Sequence, residues 1–352
     1  MIALIMAGGI GTRFWPLSTP QNPKQFLNIM GKDSMIQQTV KRILPIIDYE
    51  DIYVVTNVSQ KELVAEHLPE LPQQNIIAEP HGRNTAPCIG LSAFLLSEKY
   101  DKDEVMLVLA ADHYIGKENL FRNIVSFSAN FIEEKRNLLT FGIQPTYPAT
   151  GYGYIEFGKK INKERFSVFK VKQFKEKPDR KTAQKFLKKG NFAWNSGMFM
   201  WRLDSIINAI KKHMPQMYED LEKIVKFWED DSNKVSTIYK NMEKVPIDIG
   251  VMEKSENATV VPVDIDWNDI GSWKALDDMV QNKDSDKNYL SAYSITIDSN
   301  NNYLLSTDKE KPVALIGVKD SIIIQTDNGL LVCKKDQSQK VKQVAQKLEK
   351  NN

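Results

Sequence analysis

Five short apolar runs recur along the first part of the chain: IALIM (2–6), IYVVT (52–56), NIIA (75–78), VMLVLA (105–110) and LLTFGI (138–143). Each is nearly continuous. A strand wet on one face alternates apolar and polar residues, whereas a strand buried on both faces need not. Helical spacing fills the gaps. SMIQQTVKRILPII places Ile36, Val40, Ile43, Leu44 and Ile47 at helical intervals, and TAPCIGLSAFLLSEK reads as a second helix. Pro87 is tolerated in its first turn, where no amide donor is needed for the ladder. Strands alternating with helices predict an α/β domain with a largely parallel sheet.

After about residue 145 the pattern changes. GYGYIEF, FSVFKVKQFKEKP and WNSGMFMWR read as strands, helical stretches follow near 204–213 and 216–229, and ATVVPVDIDW (258–267) reads as one further strand. The polar run QNKDSDKNY (281–289) reads as a linker. Beyond it AYSITID, NNYLLST, PVALIGV, SIIIQT and GLLVCKK are short strands between turn residues, an all-β module closed by an amphipathic terminal helix. The predicted domains are 1–282 and 283–352.

Composition excludes several classes. The formal charge is +2 over 352 residues, which gives no reason to expect nucleic acid or a membrane surface as partner. Two distant cysteines, Cys88 and Cys333, argue against a disulfide framework and against structural zinc. The four histidines lack metal-ligand spacing. The first apolar run is too short and too early for a signal peptide, so the chain is expected in the cytoplasm.

The first strand leads into LIMAGGIGTRFWPLSTPQNPKQFL (4–27). The dinucleotide pattern G-x-G-x-x-G fails because Phe14 stands at the third glycine, and the second strand ends in Thr56 and Asn57 without an acidic residue for a ribose. A Walker loop fails because Thr12 and Arg13 follow Gly11. What remains is a glycine turn at the carboxyl end of a strand. Gly8, Gly9 and Gly11 admit backbone amides to an anion, and Arg13 adds a forked donor. Pro16, Pro20 and Pro23 stiffen the segment that carries Lys24.

AGGIGTRFWPLS…PKQFL resembles the signature of the sugar-phosphate nucleotidylyltransferases, and FWPLS with PKQF resembles the mannose-1-phosphate guanylyltransferase branch. EPHGRNTAP (79–87), AADH (110–113), GYGYIE (151–156), FKEKP (174–178), WNSGMF (194–199) and DWNDIGSW (266–273) follow in the family's order, and the C-terminal stretch is also similar. The resemblance spans nearly the whole chain. It implies a Rossmann-like mixed, mainly parallel sheet flanked by helices (the GT-A-like nucleotidyltransferase fold) with a small C-terminal left-handed β-helix-like module. It also implies transfer of GMP from GTP to mannose 1-phosphate, giving GDP-mannose and pyrophosphate.

By this resemblance Asp112 and Asp269 are ligands of Mg²⁺, and His113 is a structural neighbour. Arg13, Lys24 and Lys177 are the catalytic cations: Arg13 on the leaving phosphates, Lys24 near the α-phosphate, Lys177 on the phosphate of the sugar. Ala7, Gly8, Gly9, Gly11, Thr12, Glu79, Arg83, Asn84, Thr85 and Asp112 would bind the nucleotide, and Gly153, Glu176 and Asn195 the sugar. Guanine shows two parallel donors on one edge, which a carboxylate such as Glu79 accepts and adenine does not match. Thr85 is expected to cap the helix that follows. A phosphate nucleophile is already ionised near neutral pH, so the chemistry asks for positioning and charge neutralisation rather than a general base. The chain stops soon after CKKDQSQKVKQV, which leaves no room for the isomerase domain of some relatives, so transferase activity alone is expected. The β-helix-like region implies a homodimer. A non-catalytic nucleotide-sugar sensor, or a transferase for another sugar 1-phosphate, would use the same scaffold.

Overall fold

The computed structural model describes residues 1–9 and 11–351, and they divide into two compact units. The first comprises Met1–Gly8, Gln37–Ala111 and Ile115–Trp267; the second comprises Gly9–Ile36, Asp112–Tyr114 and Asn268–Asn352. The glycine loop and Asp112 group with the C-terminal segments.

The first unit is built on β1 (Ile2–Met6), β2 (Ile52–Asn57), β3 (Ile76–Glu79) and β4 (Val105–Ala110), then β6 (Leu138–Ile143), β7 (Tyr154–Lys160), β8 (Phe169–Lys175), β9 (Phe192–Arg202) and β10 (Ala258–Val263). Two-residue strands, β5 (Tyr114–Ile115) and β11 (Trp267–Asn268), lie where the chain passes between units. The nine strands form one sheet in the order β3-β2-β1-β4-β9-β6-β10-β8-β7. β1 pairs in parallel with β2 and β4, β2 with β3, and β6 with β10. The long β9 inserts antiparallel between β4 and β6 and also meets β7. The strands read after residue 145 therefore complete the same sheet, which is mixed. β1, β2, β4 and β6 are buried almost throughout, as their continuous apolar runs require.

The helices of this unit are α1 (Met35–Ile43, begun in the second unit), α2 (Lys61–His67), α3 (Thr85–Ser97), α4 (Glu118–Lys135), α5 (Arg180–Lys189), α6 (Leu203–His213), α7 (Pro215–Phe227), α8 (Ser232–Asn241) and α9 (Ile247–Gly250). α3 is buried nearly all round, and Ile89, Phe94 and Leu96 pack in one cluster with Ile206, Ile210, Leu221 and Tyr239. Burying one such aliphatic or aromatic side chain contributes roughly 1.5–3 kcal/mol. α1 ends at Ile43, before Pro45, rather than running to Ile47. The expected strand 258–267 stops at Val263, and Asp266, at φ 53°, separates it from Trp267. No helix among the described residues is long and apolar enough to cross a membrane.

The second unit holds short 3-10 turns at Thr12–Phe14 and Lys24–Phe26, α10 (Trp273–Met279), and β12 (Tyr289–Leu290), β13 (Ser294–Ile297), β14 (Tyr303–Ser306), β15 (Val313–Ile316), β16 (Ser321–Thr326), β17 (Gly329–Lys334) and α11 (Val341–Asn351). β12, β14 and β16 stack in parallel, with Tyr289, Tyr303 and Ile322 in register, and β13 stacks in parallel on β15. The chain thus alternates between these two parallel stacks, a β-helix-like coil around Leu304, Leu315 and Ile323, and β17 extends the larger sheet antiparallel to β16. Buried asparagines form a ladder at one corner. Asn288 Oδ1 accepts from the Asn302 amide, and Asn302 Oδ1 accepts from the Ser321 amide. The stretch 281–289 is tied down rather than free: Lys283 pairs with buried Asp277 at 2.7 Å, and Asn288 begins the ladder. Phe14, Leu27, Ile270, Trp273, Tyr303, Ile324 and Val341 share one core.

Candidate active site

In the second unit, Gly11, Thr12, Arg13, Phe14, Lys24, Asp112, His113, Asp269, Ile270, Gly271 and Lys342 line one cavity of about 280 Å³. Lys24 organises it. This lysine is 5% exposed, and its Nζ donates to Asp112 Oδ2 at 2.8 Å, to the Asp112 carbonyl at 3.1 Å and to the Asp269 carbonyl at 2.7 Å. An ammonium has three protons, and all three are engaged. Gly11 makes this possible. Its φ is 69°, and a Cβ there would stand 2.4 Å from Lys24 Cβ. Gln25 Nε2 anchors the same segment on the Gly9 carbonyl at 2.9 Å.

Burial tends to raise the Asp112 carboxyl, but the Lys24 ammonium, His113 and the hydrogen bond from Lys24 outweigh it and hold the carboxyl below the usual range. About a third of the Asp112 side chain, 35%, remains exposed. Asp269 follows β11 in two successive Asx turns: Asn268 Oδ1 accepts from the Ile270 amide at 2.7 Å, and Asp269 Oδ1 from the Gly271 amide at 3.1 Å. Ile270 between them is fully buried at φ 42°, a left-handed conformation that is strained for a β-branched residue. Arg13 and Lys342 also line the cavity, and neither has a hydrogen-bond or ion-pair partner among the described residues.

In the first unit, the carboxyl ends of β1, β2 and β3 are laced together. The Ala7 carbonyl accepts from Thr56 Oγ1 at 3.0 Å, and the Gly8 carbonyl from Asn57 Nδ2 at 2.8 Å. A Cβ on Gly8 would lie 3.6 Å from Glu79 Oε2. Glu79 is 5% exposed; Tyr239 donates to its Oε1 and the Cys88 thiol also bonds to it. Burial pushes the carboxyl up to about 7 against those two bonds, which lower it. His81 Nε2 lies 3.0 Å from Ser236 Oγ, and Arg83 donates to the Lys240 carbonyl.

α3 is capped by Asn84, not by Thr85: Asn84 Oδ1 accepts from the Thr85 amide at 2.8 Å. Asn84 sits at φ 70°, ψ −177°, a region nearly confined to glycine. Thr85 is the first helical residue, and its Oγ1 accepts from the Ile247 amide at 2.9 Å.

A second cavity of this unit, about 360 Å³, is lined by residues that include Asn84, Thr85, Gly153, Glu176, Lys177, Asn195, Asp248 and Glu253. The three predicted sugar residues meet there. A Cβ on Gly153 would come within 3.0 Å of Glu176 Oε2. Asn195 Nδ2 donates to Asp248 Oδ1 at 2.8 Å, and Lys177 pairs with Glu176 at 2.8 Å. Burial raises the Asp248 carboxyl, which the Asn195 bond opposes; burial, Asp248 and Glu176 raise that of Glu253. Asp248 and Glu253 stand in no motif that marks them in the sequence. They lie in VPIDIGVMEKS, where acidic residues alternate with apolar ones like any amphipathic turn. Lys342 carries no sequence signal either, because a lysine in a terminal amphipathic helix looks like a solvated face.

A glycine turn with free cations and two carboxylates, together with a mixed α/β sheet whose loops line a carboxylate-rich cavity, is the equipment of an enzyme that moves nucleotide phosphates. The family profile described as Nucleotidyl transferase matches residues 2–286, and that of the MannoseP isomerase/GMP-like beta-helix domain matches 293–348. The mannose-1-phosphate guanylyltransferase of Salmonella muenchen is 41% identical over 100% of this chain and 74% of its own length. That of Escherichia coli strain K12 is 37% identical over 98% of this chain and 73% of its own. A solved structure named mannose-1-phosphate geranyltransferase, from Thermus thermophilus, superposes with a TM-score of 0.86 at 31% identity, covering 99% of both chains. One named mannose-6-phosphate isomerase, from Helicobacter pylori, gives 0.62 at 26%, covering 76% of this chain and 99% of that one. The chain belongs to the nucleotidyl transferase family, among the mannose-1-phosphate guanylyltransferases.

Proposed function

We propose that this chain transfers GMP from GTP to mannose 1-phosphate, releasing pyrophosphate and forming GDP-mannose. The observation that carries the reading is Lys24, which bonds Asp112 Oδ2 and the Asp269 carbonyl and so holds two carboxylates and the glycine turn around one cavity. A phosphate oxygen of the sugar attacks the α-phosphorus as the bond to pyrophosphate breaks, and the electron pair leaves on pyrophosphate. Arg13 offsets the charge that grows there. Lys177 and Glu176 serve the sugar cavity, the lysine for phosphate and the carboxylate, with Asp248 and Asn195, for hydroxyl groups. Glu79 accepts the N1–H and N2–H of guanine when ionised.

Lys24 acts here through Asp112 and Asp269. Its three protons are engaged, so contact with an α-phosphate requires exchange of one of those bonds. The donor set suits Mg²⁺, a hard cation that takes oxygen ligands: two carboxylates face one cavity, and phosphate oxygens and water would supply its remaining ligands. Asp112 and Asp269 would hold the ion, which supplies Lewis-acid neutralisation of phosphate oxygens. The proposed compartment is the cytoplasm.

We also infer a homodimer, because Ile295, Ile297 and Ile316 on β13 and β15 are more than half exposed and form an apolar face. Sedimentation tests it; a monomer at micromolar concentration contradicts it. For the reaction, the purified chain with GTP, mannose 1-phosphate and Mg²⁺ releases pyrophosphate, and Asp269→Asn loses turnover while keeping its melting temperature. Full turnover in that variant removes Asp269 from the site.

A further inference from the structure

We propose that Lys342 of α11 is a phosphate-binding residue of the triphosphate cavity, acting with Arg13 on the pyrophosphate end of the nucleotide. The inference deepens the guanylyl-transfer reading and rests on it. Three cationic chains, Arg13, Lys24 and Lys342, line the cavity together with Asp112 and Asp269. Lys24 is spent on the two aspartate segments, with one proton on a carboxylate and two on carbonyls. Arg13 and Lys342 have no partner among the described residues. Pyrophosphate carries several negative charges, and a single guanidinium leaves most of them unmet.

The position of Lys342 is built, not incidental. Its neighbour Val341 is 2% exposed and packs in the same core as Phe14, which is the neighbour of Arg13. The same core thus underlies the backbone beside both cations. The segment entering α11 is held by Lys335, a buried lysine whose Nζ lies 2.7 Å from Asp277 Oδ2. Ala345, one turn on from Val341, is also buried, so α11 presents a fixed face, and Lys342, exposed itself, lines the cavity from the first turn of the helix. The C-terminal segment then contributes a charge to the reaction as well as a fold.

The test uses the full chain with Lys342→Gln, Lys342→Arg and, as a control on the same helix, Lys347→Gln. Steady-state kinetics are run in both directions, and binding of inorganic pyrophosphate is measured by calorimetry. Lys342→Gln should raise the KM for GTP and for pyrophosphate by about tenfold, the scale of one charge-assisted bond, with the KM for mannose 1-phosphate unchanged. Lys342→Arg should restore most of the loss, and Lys347→Gln should match the wild type. Unchanged KM values for GTP and pyrophosphate in Lys342→Gln overturn the proposal, as does a loss shared equally by mannose 1-phosphate, which marks a structural role. If the wild type itself neither releases pyrophosphate nor binds it, the guanylyl-transfer reading has failed first.

Discussion

The hydroxyl of Tyr239 on α8 donates to Glu79 Oε1 at the end of β3, across 160 residues of sequence. It is one of three such ties. Ser236 meets His81, and the Lys240 carbonyl accepts from Arg83, so residues 79, 81 and 83 of EPHGR are each fixed by one face of α8. A loop proposed to read a base is thereby held by a helix that need not touch the nucleotide. Rigid support of this kind is what makes a carboxylate selective, because an acceptor that can turn away loses little when its donor is missing.

Glu79 gives the first prediction. Its carboxyl is raised to about 7 by burial, and guanine requires it ionised. The KM for GTP should fall as pH rises through 7, and Glu79→Gln should remove that dependence together with the preference for GTP over ITP, which lacks the N2 amino group. A pH-independent KM in the wild type contradicts the assignment. Stability carries the opposite trend. Because the folded state favours the proton, raising pH from the ordinary carboxylate range towards 7 ionises the unfolded chain first and lowers stability, by up to about 3 kcal/mol. Urea titrations of wild type and Glu79→Gln across pH 5–8 measure the difference.

Tyr239→Phe removes a bond that favours the ionised carboxylate. Cys88 on α3 also bonds to Glu79, and the charge of Arg83 acts on Tyr239. With the tyrosine hydroxyl gone, the acid limb of kcat/KM for GTP should move to higher pH, by about half a unit to one unit. If the limb stays in place while Glu79→Gln abolishes it, Tyr239 is packing alone.

Gly11→Ala should destabilise the protein by about 1–3 kcal/mol, since it places a side chain at φ 69° and against Lys24 Cβ. Activity should fall with it, as Lys24 is displaced from Asp112. Thermal unfolding and turnover of the variant read both effects; a neutral result in both would show that the turn is adaptable.

Lys24→Met keeps the length of the side chain and removes three hydrogen bonds. Turnover should drop by about a hundredfold or more. Asp112 should then titrate at higher pH. In the wild type its folded carboxyl lies below the unfolded value, so it contributes stability above the unfolded value that is lost as pH falls through the folded one. In the variant that acid loss should begin at higher pH, visible in unfolding curves followed down through the acid range. Identical acid limbs would mean that Lys24 does not set the Asp112 charge.

The parts of this fold legible in the sequence are those where burial is continuous. β4 and β6 run as their apolar letters do, because nothing else holds such residues in water. The insertion of β9 between β4 and β6 is illegible, since pairing between distant strands leaves no local pattern. α4, eighteen residues long, carries only an ordinary amphipathic signal, which no motif or run of apolar letters marks out. At the site, Asp112 and Asp269 stand out within motifs and the structure brings them to one cavity. Lys342 and Asp248 stand in no motif: Lys342 follows Val341, which shares a core with Phe14, and Asp248 accepts from Asn195, both partners far away in the chain. Asn84 and Thr85 differ by one position, and only the backbone at φ 70° shows which one caps α3.

The most direct measurement is pyrophosphate release from a matrix of GTP, ATP, UTP and dTTP against mannose 1-phosphate and glucose 1-phosphate, with Mg²⁺ and with chelator. The highest kcat/KM is expected for GTP with mannose 1-phosphate, lost on chelation. Faster release with another nucleotide or sugar, or none with any pair, would contradict guanylyl transfer to mannose 1-phosphate.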